Sequence, residues 1–433
     1  MTQFLDSSEP GFAQRFEALV QARRDQPHDI QDAVRDIISA VKTRGDEAVI
    51  EYTARFDKVD LRKTGLAIPR EDLEAAYNSL APDLKAALIT AHDRIGAHHR
   101  RQLPANDRYA DAIGAELGHR WTPVDAAGLY VPGGKASYPS SLLMTAVPAK
   151  VAGVPRIVMV APAPGGEVNP AVLAAAHLAG VTEVYRIGGA QAIAALAYGT
   201  ETIKPVAKIV GPGNAYVAEA KRQVFGTVGI DSIAGPSEVV IVADSEANPR
   251  WLAADLLAQA EHDEAAQSIL ITDSAALAQA AASAVEDQLA TAPRGAIAAQ
   301  SWKDHGAIIV VSGLAKEAPP LVNALAPEHL ELSCDAAEYL LPAIRNAGAI
   351  FIGHYTPEAV GDYVAGSNHV LPTTRTARFS SGLGVLDYMK RTSLLKLSPS
   401  SLAALGPATM TLAQAEGLDA HRLSVAIRLS GAS

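Results

Sequence analysis

The sequence predicts an α/β protein built as two doubly wound halves flanked by smaller helical lobes. Three observations carry the prediction. Between residues 120 and 355, short continuous apolar runs alternate with helical stretches, the texture of parallel sheets covered on both faces. The first hundred residues repeat apolar side chains at helical spacing instead, and so does the C-terminal end. The length of 433 residues, at about 150 residues per domain, suits two or three packed units.

In order along the chain, Ile30, Val34, Ile37, Ile38 and Val41 mark one face of a helix, with Asp29 placed to cap it. Further helices are expected over 47–56, 70–80 and 82–99. The cluster His98-His99-Arg100-Arg101 reads as a solvated helix end rather than a metal or phosphate site. Strands are expected at 157–161, 183–187, 208–210, 239–243, 268–272, 307–311 and 349–352. Helices over 169–179, 191–198, 215–225 and 249–261 fit between them, with a strand-like segment at 328–333. After Thr356 come loops rich in Gly, Ser and Thr, then helices expected over 386–396, 400–415 and 418–429.

Composition excludes several classes. Hydrophobic residues are 48% and charged residues 19%, so a large core is available and disorder is excluded. The formal charge of −10 provides no basic field for nucleic acid. One cysteine, Cys334, excludes a disulfide framework or a cysteine-based metal cluster. The start, from Met1 to Pro10, has no apolar core of a secretory signal, and no apolar run approaches the roughly 18 residues of a membrane span. A cytoplasmic location is the expectation.

Three glycine clusters fall where a strand gives way to a helix: Gly133-Gly134, Gly188-Gly189-Ala190-Gln191 and Gly211-Pro212-Gly213-Asn214. Such turns admit a phosphate to free backbone N–H groups, and equally serve as turns with no ligand. None is the G-x-G-x-x-G fingerprint. Gln259 and His262 lie i, i+3 on one helix face, Glu328-His329 opens an apolar run, Asp362 and His369 bracket a loop, and Glu416 and His421 flank a helix start. Imidazole and carboxylate ligands suit a catalytic zinc, although each histidine alone also reads as structural. Cys334 reads as a packing residue, and Ser237, in a Gly-Pro-Ser-Glu turn without G-x-S-x-G, as a ligand-binding serine rather than a nucleophile.

Together these strings are similar to histidinol dehydrogenases. The resemblance is carried by Gly128-Leu129-Tyr130-Val131-Pro132-Gly133-Gly134, the two later glycine clusters, Gly235-Pro236-Ser237-Glu238, Gln259-Ala260-Glu261-His262, Pro327-Glu328-His329-Leu330, Gly361-Asp362-Tyr363, Asn368-His369-Val370 and Glu416-Gly417-Leu418-Asp419-Ala420-His421, and it runs to about Arg428. It implies oxidation of L-histidinol through L-histidinal to L-histidine with NAD+ and zinc. Matched position by position, it implies Gln259, His262, Asp362 and His421 as zinc ligands and Glu328 and His329 as the acid/base pair. Ser237, His369 and Glu416 become substrate contacts alongside the zinc ligands and His329, and Tyr130, Gln191 and Asn214 become NAD+ contacts. It also implies two incomplete Rossmann-like domains, at 120–235 and 236–375, between helical lobes at 1–119 and 376–433. These would form an intertwined homodimer in which the histidine at position 421 crosses to the neighbouring subunit. Ser232 departs from the family, which often has a large apolar residue there. A relative on the same scaffold acting on another polar alcohol, such as a sulfonated diol, is the nearest rival.

Overall fold

The computed structural model describes residues 2–22, 29–133 and 138–431. Gly134 of the first glycine cluster lies outside them, as does the capping side chain expected of Asp29. In chain order the strands are β1 (Gln3–Asp6), β2 (Asp107–Ala110), β3 (Glu116–Pro123), β4 (Ala126–Tyr130), β5 (Arg156–Val160), β6 (Glu183–Tyr185) and β7 (Lys208–Val210). They continue with β8 (Gly229–Ile230), β9 (Glu238–Ala243), β10 (Gln267–Thr272), β11 (Ala307–Val310), β12 (His329–Ser333), β13 (Ala349–Ile352) and β14 (Met389–Lys396).

Two of the three sheets are wholly parallel. The first runs β6-β5-β4-β7-β8 and the second β1-β11-β10-β9-β12-β13. Apart from β1, each has the same order, with its first strand central and the next four strands placed two on either side. Strands β4 and β9 are buried along their whole length, so side chains on both faces need cover. Alternation along the strand delivers it. Leu129 and Met159 enter one core of the first sheet, Val158 and Val160 the other. The second sheet divides in the same way, with Val240 on one face and Val239 and Ile241 on the other.

The N-terminal helices are part of this cover. Val34, Ile37, Ile38 and Val41 from the Asp29–Arg44 helix join one core of the first sheet, and Leu88, Ala91 and Ile95 from the Pro82–Arg100 helix join the other. Strand β1 also belongs to this N-terminal stretch, and it pairs in parallel with β11 of the second sheet. The sequence prediction is corrected at two points. His99 is fully buried one helical turn beyond Ile95, its Nδ1 2.8 Å from the Ile95 carbonyl, whereas His98 and Arg100 are exposed. Burial holds its pKa below the ordinary histidine value. The expected helix at 386–396 is instead the exposed strand β14, which pairs antiparallel with β3 from Met389↔Pro123 to Lys396↔Glu116. Its leucines and lysines favour helix weakly, and a partner strand distant in sequence overrides them.

Helices Pro399–Ala415 and Asp419–Ser430 form a C-terminal hairpin that packs mainly on itself, with Leu429 and Val425 against Gly406. Leu412, Leu418, Leu423 and Ile427 remain exposed on it. No helix among the described residues is long and apolar enough to cross a membrane.

Candidate functional site

The C-terminal end of β7 and the N-terminal ends of β9 and β12 bound a cavity of about 500 Å3. The Gly211–Asn214 turn forms one side of it. Gly211 has φ +113, and a Cβ there would stand 2.2 Å from the Tyr130 carbonyl oxygen, so only glycine fits. The turn is braced from behind. The Lys221 ammonium donates to the Gly211 carbonyl at 3.0 Å and pairs with Asp231, which accepts from the Gly211 N–H at 2.7 Å. Both side chains of that pair are buried. Replacing Lys221 with Met should therefore strand a buried carboxylate and lower stability by about 3–5 kcal/mol, a loss read by chemical denaturation. An unchanged midpoint would show that the pair does not brace the turn.

On the opposite side, Ala326 takes a left-handed conformation (φ 47) after the Leu314–Leu325 helix and leads through Pro327 and Glu328 into His329 at the start of β12, an internal strand of the second sheet. Glu328 and His329 are both buried. The Glu328 carboxylate accepts from the Glu238 N–H at 3.1 Å, and burial raises its pKa to about 7 despite the nearby His329. His329 Nδ1 lies 3.1 Å from both the Glu238 carbonyl and Gln259 Oε1 and 3.8 Å from the carboxylates of Glu328 and Glu358. Its Nε2 is 3.6 Å from Asp362. Burial alone would lower the histidine pKa, but the carboxylates of Glu358, Glu328 and Asp362 outweigh it and hold the ring's proton affinity well above the ordinary value.

Of the residues singled out by sequence, Ser237, Gln259, His262, Glu328, His329, Asp362, His369 and Asn214 all line this cavity. His262 Nδ1 faces the Ala258 carbonyl at 2.9 Å, which makes it the donor and leaves the Nε2 lone pair available. His369 Nδ1 bonds likewise to the Asp362 carbonyl at 2.8 Å, with Ser141 Oγ 3.1 Å from its Nε2. The Gln259 side chain is fully buried with Nε2 unpartnered, an uncommon state that calls for a further polar partner. Rotation of that amide interchanges its oxygen and nitrogen, so together with the His262 nitrogen and the Asp362 carboxylate in the same cavity it could supply N/O donors of the kind a catalytic zinc takes. Glu416 and His421 do not line the cavity. They are exposed on the C-terminal hairpin.

Glu358 escaped the sequence reading. It is buried, its Oε2 has no hydrogen-bond partner, and with His329 and Asp362 it forms a trio whose ligand atoms lie within 4.8 Å of one another. Its i, i+4 relation to Asp362 was the available signal. Glu331, two residues beyond His329 on the same strand face, was the other: it accepts from the Glu358 N–H at 2.7 Å.

A second cavity of about 930 Å3 opens at the C-terminal end of β4, where the first sheet's winding reverses, and shares Pro132 and Asn214 with the first. Tyr130, Gln191 and Asn214 line it together. Tyr130 Oη accepts from the Gly189 N–H at 3.0 Å, and Asn214 Oδ1 caps the Ala215–Val224 helix through the Val217 N–H at 3.1 Å. Crevices at such reversal points are where doubly wound sheets take nucleotides.

A family profile described as histidinol dehydrogenase matches residues 20–429. Over 427 residues the chain is 64% identical to the histidinol dehydrogenase of Rhizobium meliloti (strain 1021), covering 99% of this chain and 98% of that one. It is 62% identical to that of Brucella suis biovar 1 over 430 residues, covering 99% and 100%. Among solved structures, the crystal structure of the histidinol dehydrogenase of Elizabethkingia anophelis matches with a TM-score of 0.94 at 35% identity, covering 99% and 98%.

Proposed function

Because the chain belongs to the histidinol dehydrogenase family, and so is an oxidoreductase acting on histidinol in histidine biosynthesis, we propose that it carries out both oxidations, alcohol to aldehyde and aldehyde to carboxylate, with zinc and NAD+. The observation that carries this reading is the convergence of Glu328, His329, Gln259, His262 and Asp362 in one cavity beside a nucleotide-sized crevice.

His329 is the proton acceptor. Ringed by carboxylates, it takes the alcohol proton as the first hydride departs, and positioned base catalysis of this kind contributes about 10²–10⁴-fold. Glu328 draws a proton from water so that its oxygen adds to the aldehyde, and a carboxyl with a pKa of about 7 divides its time between the forms this needs. His329 returns its proton to the aldehyde oxygen as the water adds, and then takes a gem-diol proton as the second hydride leaves. Gln259, His262 and Asp362 would hold the zinc, with His421 of the partner subunit completing the set. When bound, the metal supplies Lewis-acid polarisation and orientation of the substrate, and NAD+ accepts a hydride at each oxidation. Tyr130, Gln191 and Asn214 would position the dinucleotide, and Ser237, His369 and the partner subunit's Glu416 the substrate. In this reading the two parallel sheets are incomplete Rossmann-like domains (120–235 and 236–375), flanked by the segments 1–119 and 376–433. The exposed apolar face of the C-terminal hairpin, which carries Glu416 and His421, supports an intertwined homodimer.

The test is NADH formation on adding L-histidinol and NAD+, abolished by a chelator and restored by zinc. Absence of NADH with zinc loaded would refute the assignment. Cys334 provides a second check. It is buried at the opposite end of β12 from His329, about 16 Å along the strand at 3.3 Å per residue, and burial pushes its thiol up to about 11. Cys334→Ser should keep turnover within about twofold of the parent, since surface-distant, non-reacting thiols contribute packing alone. A loss of several orders of magnitude would restore a thiohemiacetal route.

A further inference from the structure

The larger cavity contains a carboxylate that no step above uses. Asp57 follows the Asp46–Phe56 helix, lines the cavity wall, and has its Oδ2 buried without a hydrogen-bond partner. We propose that Asp57 accepts the ribose hydroxyls of the adenosine half of the dinucleotide and makes this crevice select NAD+ over its 2′-phosphorylated counterpart. The inference rests on the NAD+ reading above and adds the residue that sets its specificity.

Direction comes from the two cavities. They share Pro132 and Asn214, so the reacting nicotinamide belongs at that end, beside His329. The same cavity is also lined by Ile37, Tyr52 and Phe56, apolar and aromatic surfaces on which a purine stacks. Asp57 is next to Phe56 in the chain and near enough to Tyr130 for its charge to add to the burial that raises that phenol to about 12. In doubly wound sheets the carboxylate that binds the ribose normally follows the second strand. Here that strand is β5, and it runs into Ala161-Pro162-Ala163-Pro164, which has no acid. The N-terminal helices that cover the sheet supply one instead. Burial raises the Asp57 pKa, the mark of a carboxylate lacking the partners that water or a ligand would give. A hydroxyl donor satisfies it, whereas a 2′-phosphate would bring a second anion against it. Of the two cations on the same wall, Lys58 gives its ammonium to the Arg55 carbonyl at 2.8 Å and Arg55 holds its guanidinium over the Phe56 ring at 5.4 Å.

The experiment is calorimetric titration of the zinc-loaded protein with NAD+, NADP+, ADP-ribose and 2′-deoxy-ADP-ribose. The parent should bind NAD+ at least tenfold more tightly than NADP+, and 2′-deoxy-ADP-ribose about 10–100-fold more weakly than ADP-ribose. Asp57→Asn should weaken ADP-ribose by a similar factor, show little further penalty for the missing hydroxyl, and narrow the NAD+/NADP+ ratio. Equal binding of the two ADP-ribose ligands by the parent would overturn the proposal even if the variant failed to fold, as would an unchanged cofactor ratio in a folded variant. Failure of the parent to bind any of the four would instead refute the NAD+ reading itself.

Discussion

Replacing His329 with Asn should lower the oxidation of histidinol and of histidinal alike, each by about 10²–10⁴-fold, because one imidazole receives the proton in both hydride transfers. The asparagine keeps a polar group where Nδ1 meets the Glu238 carbonyl, so the fold should tolerate it. Removing the imidazole also pushes the Glu328 and Glu358 carboxyls further up, since both lose the neighbour that holds their pKa values down. The variant should therefore bind NAD+ normally while turning over slowly with either substrate. A variant impaired with the alcohol but normal with the aldehyde would show that a different base serves the second oxidation.

Glu328→Gln should separate the two steps. With histidinal supplied directly, turnover should fall by about 10²-fold or more, because the amide cannot take a proton from the attacking water. Oxidation of histidinol to the aldehyde stage, followed in single turnover, should change far less. The parent's rate with histidinal should also rise with pH up to about 7 and then level off. Burial raises the folded-state pKa of Glu328 to that value, so the carboxylate needed as base is lost as pH falls through it. The variant should lack this limb. Equal losses with both substrates would remove the division of labour between Glu328 and His329.

Much of the fold was legible in the residues. Buried parallel strands announce themselves as unbroken apolar runs, and β9, β10 and β11 lie within two residues of the positions their Val, Ile and Leu clusters suggested. The helices over 249–260 and 215–224 carried periodicity and caps, with Asn248 and Asn214 each accepting from the first turn. Strand β14 was not legible, because its pairing with β3 spans more than 260 residues and its own side chains do not alternate. Strand β1, four residues long, was missed for the same reason. Within the site, residues that sit in recognisable strings were found, while Glu358 and Glu331 were not. Buried acids matter through what they face, and the chain does not record that.

By itself the sequence determined the local chemistry and the family: which turns must be glycine, which histidines sit beside acids, and where strands alternate with helices. Tertiary structure decided which of these residues share a cavity. Gln259 and Asp362 lie more than a hundred positions apart, yet both come to the N-terminal edge of the second sheet beside His329. It also decided how those groups titrate, because desolvation and the field of neighbouring carboxylates depend on distance through space, and only the packed sheets set those distances.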